Sequence, residues 1–483
     1  MQNKSSRRAV LSALSGGLAI CAFNAVTRRF ITAAYAEPWM ESVPALDGEL
    51  VTDPDVLASF GEDFGHLRTG VPVAVLRPGS YEDIVAAVCF ARRLCIPLAM
   101  RGNGHSNFGQ ALSEAGIAID SRTLNTIHHI DDERAVVDAG VLWRELLAAG
   151  SACDSTPPVL TDYLDLTVGG TLSMGGIGGG TSRHGLQLDQ VESLTVVTGG
   201  GELLDCSPQQ RPRLFHAVVG GGGQCAIIVR ATVRMTTRLS QALQFNLYYD
   251  DLATYQADQE FLLEDGRFDY LEGQVVLGED GSPPRFMIEV AKYHAEDDLP
   301  DVDALLAGLS DERAQAEENW TTYDAWSARL DPLVALLKDI GLWGVPHPWL
   351  NLFIPSSQLT TFMGPFLSQL SPAETGGGAV LLYPVATHLI QAPLFRLPAE
   401  PIAWSLSMLR FAADPSLASA MIQSNRTLYE DNVSLGGTRY TIGAIPMDSS
   451  DWRNHYGAAY RPFRRAKRDF DPDKILAPGQ GIF

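Results

Sequence analysis

Three belts of glycine, Gly102–Gly109, Gly169–Gly185 and Gly220–Gly223, hold the residues of this chain best suited to chemistry. Dinucleotide binding needs backbone N–H groups close to a pyrophosphate, and glycine permits that approach. A Rossmann fingerprint would set G-x-G-x-x-G between a first strand and a helix. The first belt, Gly102-Asn-Gly104-His105-Ser-Asn-Phe-Gly109, has a different spacing, and two more belts follow far downstream. Three separated belts suit a flavin dinucleotide stretched through a domain better than a nicotinamide on one βαβ unit, although each belt alone reads equally as a tight turn. His105 has two readings. It is a turn residue, or it is an imidazole nucleophile joined to a flavin, where it would draw electrons from the ring and raise the redox potential. Two acids stand out further on. Alone, Asp162 reads as a turn or capping aspartate, and Glu272, in an alternating stretch, as a solvated edge carboxylate.

The elements that would carry these groups follow from hydrophobic periodicity. Val71–Pro78 is strand-like, Glu82–Leu94 is amphipathic with helical period, and Ile96–Met100 is again strand-like. Strands are predicted at Ile117–Asp120, Ala135–Ala139 and Ser193–Thr198, and a helix near Leu142–Ala149. Gly199-Gly200-Gly201 reads as a hairpin turn into Glu202–Cys206, and Cys225–Arg230 as one more strand. An α+β domain is therefore expected to end near Met235. Beyond it glycine thins out, and Phe245–Tyr249, Tyr270–Val276 and Phe286–Tyr293 alternate as strands. Leu299–Leu309 and Ala325–Leu337 read as helices, completing a second α+β domain. Trp452–Phe483 is rich in arginine and aromatic residues.

Composition bounds the function. The chain has 483 residues, 46% hydrophobic and 19% charged, which is globular and long enough for two or three domains. The net charge of −21 argues against nucleic acid and anionic lipid as partners. The first 36 residues hold basic residues and no acid, so the remainder is more acidic still. None of the 6 cysteines forms a C-x-x-C pair, so no metal site is expected. Residues 1–36 read as an export signal of twin-arginine type: Arg7-Arg8, a weakly apolar run from Ala9 to Val26, then Ala34-Tyr35-Ala36. The expected location is periplasmic or secreted, with no stable membrane insertion.

Several of these motifs together resemble a known family. Arg-Gly-Asn-Gly-His-Ser-Asn-Phe-Gly-Gln110 resembles the flavin-attachment motif of vanillyl-alcohol-oxidase-type flavoproteins. Thr161-Asp-Tyr-Leu-Asp-Leu-Thr-Val-Gly-Gly-Thr-Leu-Ser173, Phe-Asp-Tyr-Leu-Glu-Gly273, Leu-Trp-Gly-Val-Pro-His-Pro-Trp-Leu-Asn351 and Leu-Ala-Pro-Gly-Gln480 resemble, more narrowly, the cytokinin dehydrogenases. The resemblance covers nearly the whole chain after the leader. It implies a two-domain vanillyl-alcohol-oxidase-type fold of α+β class: a flavin domain over 37–236 completed by 442–483, with a substrate domain over 237–441 between.

The resemblance also implies roles. His105 would hold FAD covalently. Gly102, Asn103, Gly104, Ser106 and Gln110 would surround it, with Asp162, Thr167, Gly170, Ser173, Gly176, Ile228, Tyr440 and Gln480 completing the cofactor site. Asp162 would also meet the substrate amine, and Glu272 would hydrogen-bond the adenine ring. A related branch adds a cysteine link before its Val-x-Gly-Gly, but Tyr163 and its neighbours stand there and Cys153 is too far upstream, so one linkage is expected. Two positions depart from the family: Met174 replaces a frequent Asn, and Cys225 a Phe. His347 and Trp349 are expected to shape the pocket wall, and Asp165 to be structural.

The implied reaction is oxidation of N6-prenylated adenines. Hydride would pass to the flavin, and water would split the resulting imine into adenine and an unsaturated aldehyde. The electron acceptor would be quinone-like or oxygen. A covalent-flavin oxidase of a sugar or alkaloid-like metabolite is the alternative enzyme, and a secreted cytokinin-binding scavenger the alternative of another class.

Overall fold

A computed structural model describes residues 43–278 and 282–483, and for 19–24, 29–33 and 38–42 the backbone pairing of a small antiparallel sheet. Arg7-Arg8 and Ala34-Tyr35-Ala36 lie outside the described residues.

The first domain begins with β1 (Glu49–Val51), β2 (Ala74–Arg77), α1 (Tyr81–Leu94), β3 (Leu98–Arg101) and β4 (Ile117–Asp120). Helix α1 starts where Ser80 caps the N–H of Asp83, carries acids in its first turn and Arg92 and Arg93 in its last, and so matches its dipole. Its apolar face, Ile84, Val88, Ala91 and Leu94, is buried on the sheet. That sheet runs β1-β2-β4-β3, with β2 and β3 parallel to the central β4. Next come β5 (Ile127–Ile130), β6 (Arg134–Asp138), α2 (Trp143–Ser151), α3 (Val168–Met174), α4 (Thr181–His184), β7 (Val191–Thr198), β8 (Leu203–Cys206) and β9 (Ala226–Arg234). The strands form an antiparallel sheet, β8-β7-β9-β6-β5. Gly201 (φ +84°) closes the expected glycine hairpin.

The remaining domain is built on β10 (Gln241–Tyr249), α5 (Leu252–Asp265), β11 (Tyr270–Val276), β12 (Arg285–His294), β13 (Glu317–Thr322), α6 (Asp331–Asp339), β14 (Leu350–Pro355), α7 (Leu359–Gln369), β15 (Val380–Ala386), β16 (Ile402–Met408), α8 (Pro415–Ser434) and β17 (Thr438–Arg439). Its strands make one eight-stranded antiparallel sheet, β13-β10-β12-β11-β15-β16-β14-β17. One face packs on α5, α7 and α8 through Leu350, Leu352, Leu382, Trp404 and Leu406. The other face, through Phe353, Tyr383, Val385 and Ala403, shares a core with α3 and the sheet containing β7 and β9. Strands β14, β15 and β16 are thus covered on both sides, and their sequences are mostly apolar.

The end of the chain returns to the first domain. Helix α9 (Tyr460–Phe470) buries Tyr460 and Phe463 in a cluster with Ala217 and Cys225. Lys467 Nζ, buried, pairs with Asp471 at 2.7 Å and donates to the carbonyls of Gln224 (2.8 Å) and Leu476 (3.1 Å). Leu476 then bridges Leu98 in parallel, beside the first glycine belt.

Two expected helices are shorter than their periodicity implies. Leu299–Leu309 is helical only over Val302–Leu306, bounded by the Asp301 cap and by Gly308 at φ +79°. Ala325–Leu337 is broken into Tyr323–Ser327 and α6. Pro332 explains the break: a helical proline lacks the N–H and clashes with the carbonyl four residues earlier, here Ala328.

Candidate active site

Strand β3 delivers the first glycine belt. Gly104 (φ +75°) and Gly109 (φ +80°) take the left-handed conformation that favours glycine. Among the described residues, the backbone N–H groups of Asn103, Gly104, His105 and Ser106 donate to no partner, which leaves them for an anion. Asp63 holds the loop from outside, accepting from Ser106 Oγ at 2.9 Å and Gly109 N at 2.6 Å. Gln110 accepts from Phe108 N at 2.7 Å and donates to the Ile442 carbonyl at 3.0 Å, so it ties the loop to the chain's later part.

The second belt meets the first at the start of α3. Thr167 caps that helix, accepting from Gly170 N at 3.3 Å, and a Cβ on Gly102 would stand 2.1 Å from its hydroxyl. Gly176 N donates to the Tyr440 hydroxyl at 3.1 Å, and Gly222 N to the Ser173 carbonyl at 2.9 Å, which brings in the third belt. All the residues predicted to hold the flavin other than Asp162, from Gly102 to Gln480 and including Ile228, line one continuous cavity. Asp162 itself is not among the lining residues. Its neighbours Thr161 and Tyr163 line the cavity, while its own carboxylate is taken up by groups of the second domain. A cavity walled by glycine, with unpartnered amides along the first belt, fits the extended pyrophosphate cofactor that the belts imply.

His105 stands in a stack of rings. Phe64 lies parallel at 4.0 Å on one side, with His347 stacked 4.0 Å beyond it, and Tyr163 is tilted at 4.7 Å. Trp349 lies 5.9 Å away and lines the cavity. Burial lowers the His105 pKa to about 4, so the imidazole is neutral and its nitrogen lone pair available. Met174 lines the cavity and receives the Gln480 amide on sulfur at 3.6 Å. Cys225 is fully buried against Ala217 and Phe463, outside the cavity lining, and burial pushes its thiol up to about 12. Cys153 is exposed beyond α2. Asp165 pairs with Arg144 at 2.6 Å, and Arg144 also grips Asp331 at 2.7 Å, so Asp165 anchors the start of α6.

The acids meet on β11 and β12. Alternate strand residues share a face, so Tyr270 and Glu272 point the same way, and Glu289 is the direct cross-strand partner of Glu272. This face lies against the second belt: a Cβ on Gly179 would stand 2.4 Å from the Tyr270 ring. Asp162 Oδ1 accepts from the Tyr270 hydroxyl at 2.8 Å and from Arg329 Nη2 at 2.7 Å. Arg329 also bonds the Tyr270 hydroxyl and lies 3.6 Å from Glu289. Glu272 is only 4% exposed on a central strand, not the solvated edge group its alternation suggests. Burial first, then the charge of Asp162, lifts its carboxyl well above the usual range, which favours the protonated form that offers an O–H. Tyr383, fully buried, completes the group.

The two predicted acids therefore stand in one cluster, and residues flanking Asp162 wall the cavity beside His105. Tyr270, Glu289, Arg329, Tyr383 and Phe64 were not anticipated. Tyr270 could have been found by its spacing of two from Glu272. Arg329 sits in an irregular turn with no such signal.

Two family models match the sequence: one described as FAD binding domain, over residues 72–207, and one described as Cytokinin dehydrogenase 1, FAD and cytokinin binding, over residues 279–483. The sequence is 33% identical to cytokinin dehydrogenase 10 of Oryza sativa subsp. japonica, across 91% of this chain and 90% of that protein. The chain belongs to the cytokinin dehydrogenase family. Cytokinin dehydrogenase 3 of Arabidopsis thaliana is 34% identical, with 92% of each chain covered. An uncharacterized oxidoreductase of the fasciation locus of Rhodococcoides fascians is 38% identical, over 89% of this chain and 97% of that one. As a cytokinin dehydrogenase family member the protein is an FAD-dependent oxidoreductase. Among the described residues no cluster of metal-binding side chains occurs, and no helix is long and apolar enough to cross a membrane.

Proposed function

We propose that the protein oxidatively removes the isopentenyl side chain from N6-prenylated adenines. The observation that carries this reading is the buried cluster of Asp162 and Glu272, joined to the FAD cavity through Thr161 and Tyr163. When bound, FAD supplies the two-electron acceptor for hydride from the side-chain carbon next to the nitrogen. Asp162 accepts the hydrogen bond of the exocyclic N–H and stabilises the positive charge that develops there. Glu272, protonated, donates to an acceptor nitrogen of the purine ring. Water then hydrolyses the substrate imine to adenine and an unsaturated aldehyde.

His105 is proposed as the single covalent tether, through its neutral nitrogen and the flavin methyl group, with Tyr163 where a second link would stand. The acceptor that reoxidises the enzyme is proposed to be quinone-like or oxygen. The twin-arginine leader is proposed to deliver the protein to the periplasm or beyond, a route that suits a protein folded around its cofactor in the cytoplasm.

Anaerobic mixing with N6-isopentenyladenine tests the reaction: the flavin absorbance should bleach, and adenine should appear in proportion to the flavin reduced. A flavin-loaded preparation indifferent to every N6-prenylated adenine would overturn it. Acid precipitation tests the tether. A yellow pellet supports it, and a colourless one refutes it.

A further inference from the structure

Three carboxyl groups, those of half-buried Asp162 and Glu289 and of buried Glu272, surround a single guanidinium, that of Arg329. Asp162 and Glu289 lie 2.7 and 3.6 Å from it. The Arg329 guanidinium carbon lies 4.1 Å from the centre of the Trp326 ring and 4.7 Å from that of Tyr270, two rings that meet edge to face 5.1 Å apart. Its backbone N–H donates to the Trp326 carbonyl at 3.2 Å. A planar, stacked guanidinium has one orientation, which a flexible ammonium would lack. Both donors to Asp162, Arg329 and Tyr270, end on Oδ1. Arg329 does not line the FAD cavity.

We propose that Arg329 is a positioning residue of the reaction: it fixes Asp162 by Oδ1 and leaves Oδ2 to the substrate nitrogen. The inference rests on the role proposed for Asp162. The groups facing this pair are Tyr270 and Glu272 from β11, Glu289 and Tyr293 from β12, and Tyr383 from β15. Glu289 competes with Asp162 for the guanidinium and repels it. Removing Arg329 and removing Glu289 should therefore act in opposite directions, which an ion pair serving only to staple two segments together does not demand.

The test is the rate of flavin reduction by N6-isopentenyladenine against pH, in flavin-loaded wild type, Arg329→Gln, Arg329→Lys and Glu289→Gln. Arg329→Gln should lower the rate about 100-fold, the scale of a misplaced acid–base group, and move its acidic limb to higher pH. Arg329→Lys should recover part of the rate and most of the limb position. Glu289→Gln should move the limb to lower pH. In an Asp162→Asn background, Arg329→Gln should cost little more, because the two act as a unit. An unmoved limb in both Arg329→Gln and Glu289→Gln overturns the proposal, as does additivity with Asp162→Asn. If Arg329→Gln does not fold, Glu289→Gln alone decides by the direction of its shift. Should wild type not be reduced at all, the proposed substrate is wrong. The infrared carboxylate band lost in Asp162→Asn then reports the same shifts without substrate, and unshifted titration refutes the role of Arg329 separately.

Discussion

At the scale of single residues, two acids of one cluster are set to opposite tasks by their partners. Asp162 has a guanidinium and a phenol on one oxygen, whereas Glu272 has burial and a neighbouring negative charge. Asp162→Asn keeps the shape but loses the charge, and flavin reduction should fall by about 10²–10⁴-fold, the range for removing such a group; stopped-flow reduction measures it. Glu272→Gln should behave differently. An amide can still donate where the protonated acid donates, so the reduction rate should stay within about tenfold at neutral pH while its decline at alkaline pH disappears. Stability follows the same sign. A carboxyl whose folded-state pKa is raised binds its proton more tightly when folded, so the wild type loses stability as pH rises from the ordinary carboxylate range toward the raised value. Glu272→Gln removes that loss, worth about 1.4 kcal/mol for each pH unit separating the two values. The melting temperature of the variant should exceed wild type at pH 8 and match it near pH 4. Equal differences at both would contradict a buried protonated acid.

At the scale of elements, the close meeting of β3 and α3 is the most demanding construction. Gly102→Ala would put a methyl group on the Thr167 hydroxyl. The first belt or the helix start must then shift, and flavin content, read as the ratio of visible to ultraviolet absorbance, should drop by more than half. Full flavin loading would show that the approach is not needed. This is also where the sequence was most readable. Glycine belts, short apolar strands and the α1 pattern report local backbone demands, and local demands are written in neighbouring residues. The strands of the second domain were legible as strands, but Glu272 alternates like a residue on a half-exposed sheet. Its burial comes from the flavin domain lying over that face, which no window of β11 encodes. Arg329 was invisible for the same reason. It follows a five-residue helix and is placed by Trp326 and Tyr270, the latter brought to it by tertiary packing. The helical period over Ala325–Leu337 is interrupted because Pro332 can only stand in the first turn of a helix.

For the whole molecule, the net charge of −21 sets how an electron acceptor arrives. A cationic dye should reoxidise the reduced enzyme faster than an anionic one of equal potential at low ionic strength, and the difference should shrink as salt shortens the Debye length to about 8 Å at physiological strength. A salt-independent ratio would place the acceptor's entry out of reach of that field. The way the chain closes on itself has a consequence for biogenesis. The cradle that His105 begins is finished by Tyr440 and Gln480, and the tail reaches it through Lys467 and the Leu98–Leu476 bridge. A nascent polypeptide emerging from the ribosome therefore has no complete binding place for its prosthetic group until the tail is free to dock. Cofactor capture should be post-translational, and ribosome-stalled chains arrested before Tyr440 should carry no yellow colour, while released chains acquire it.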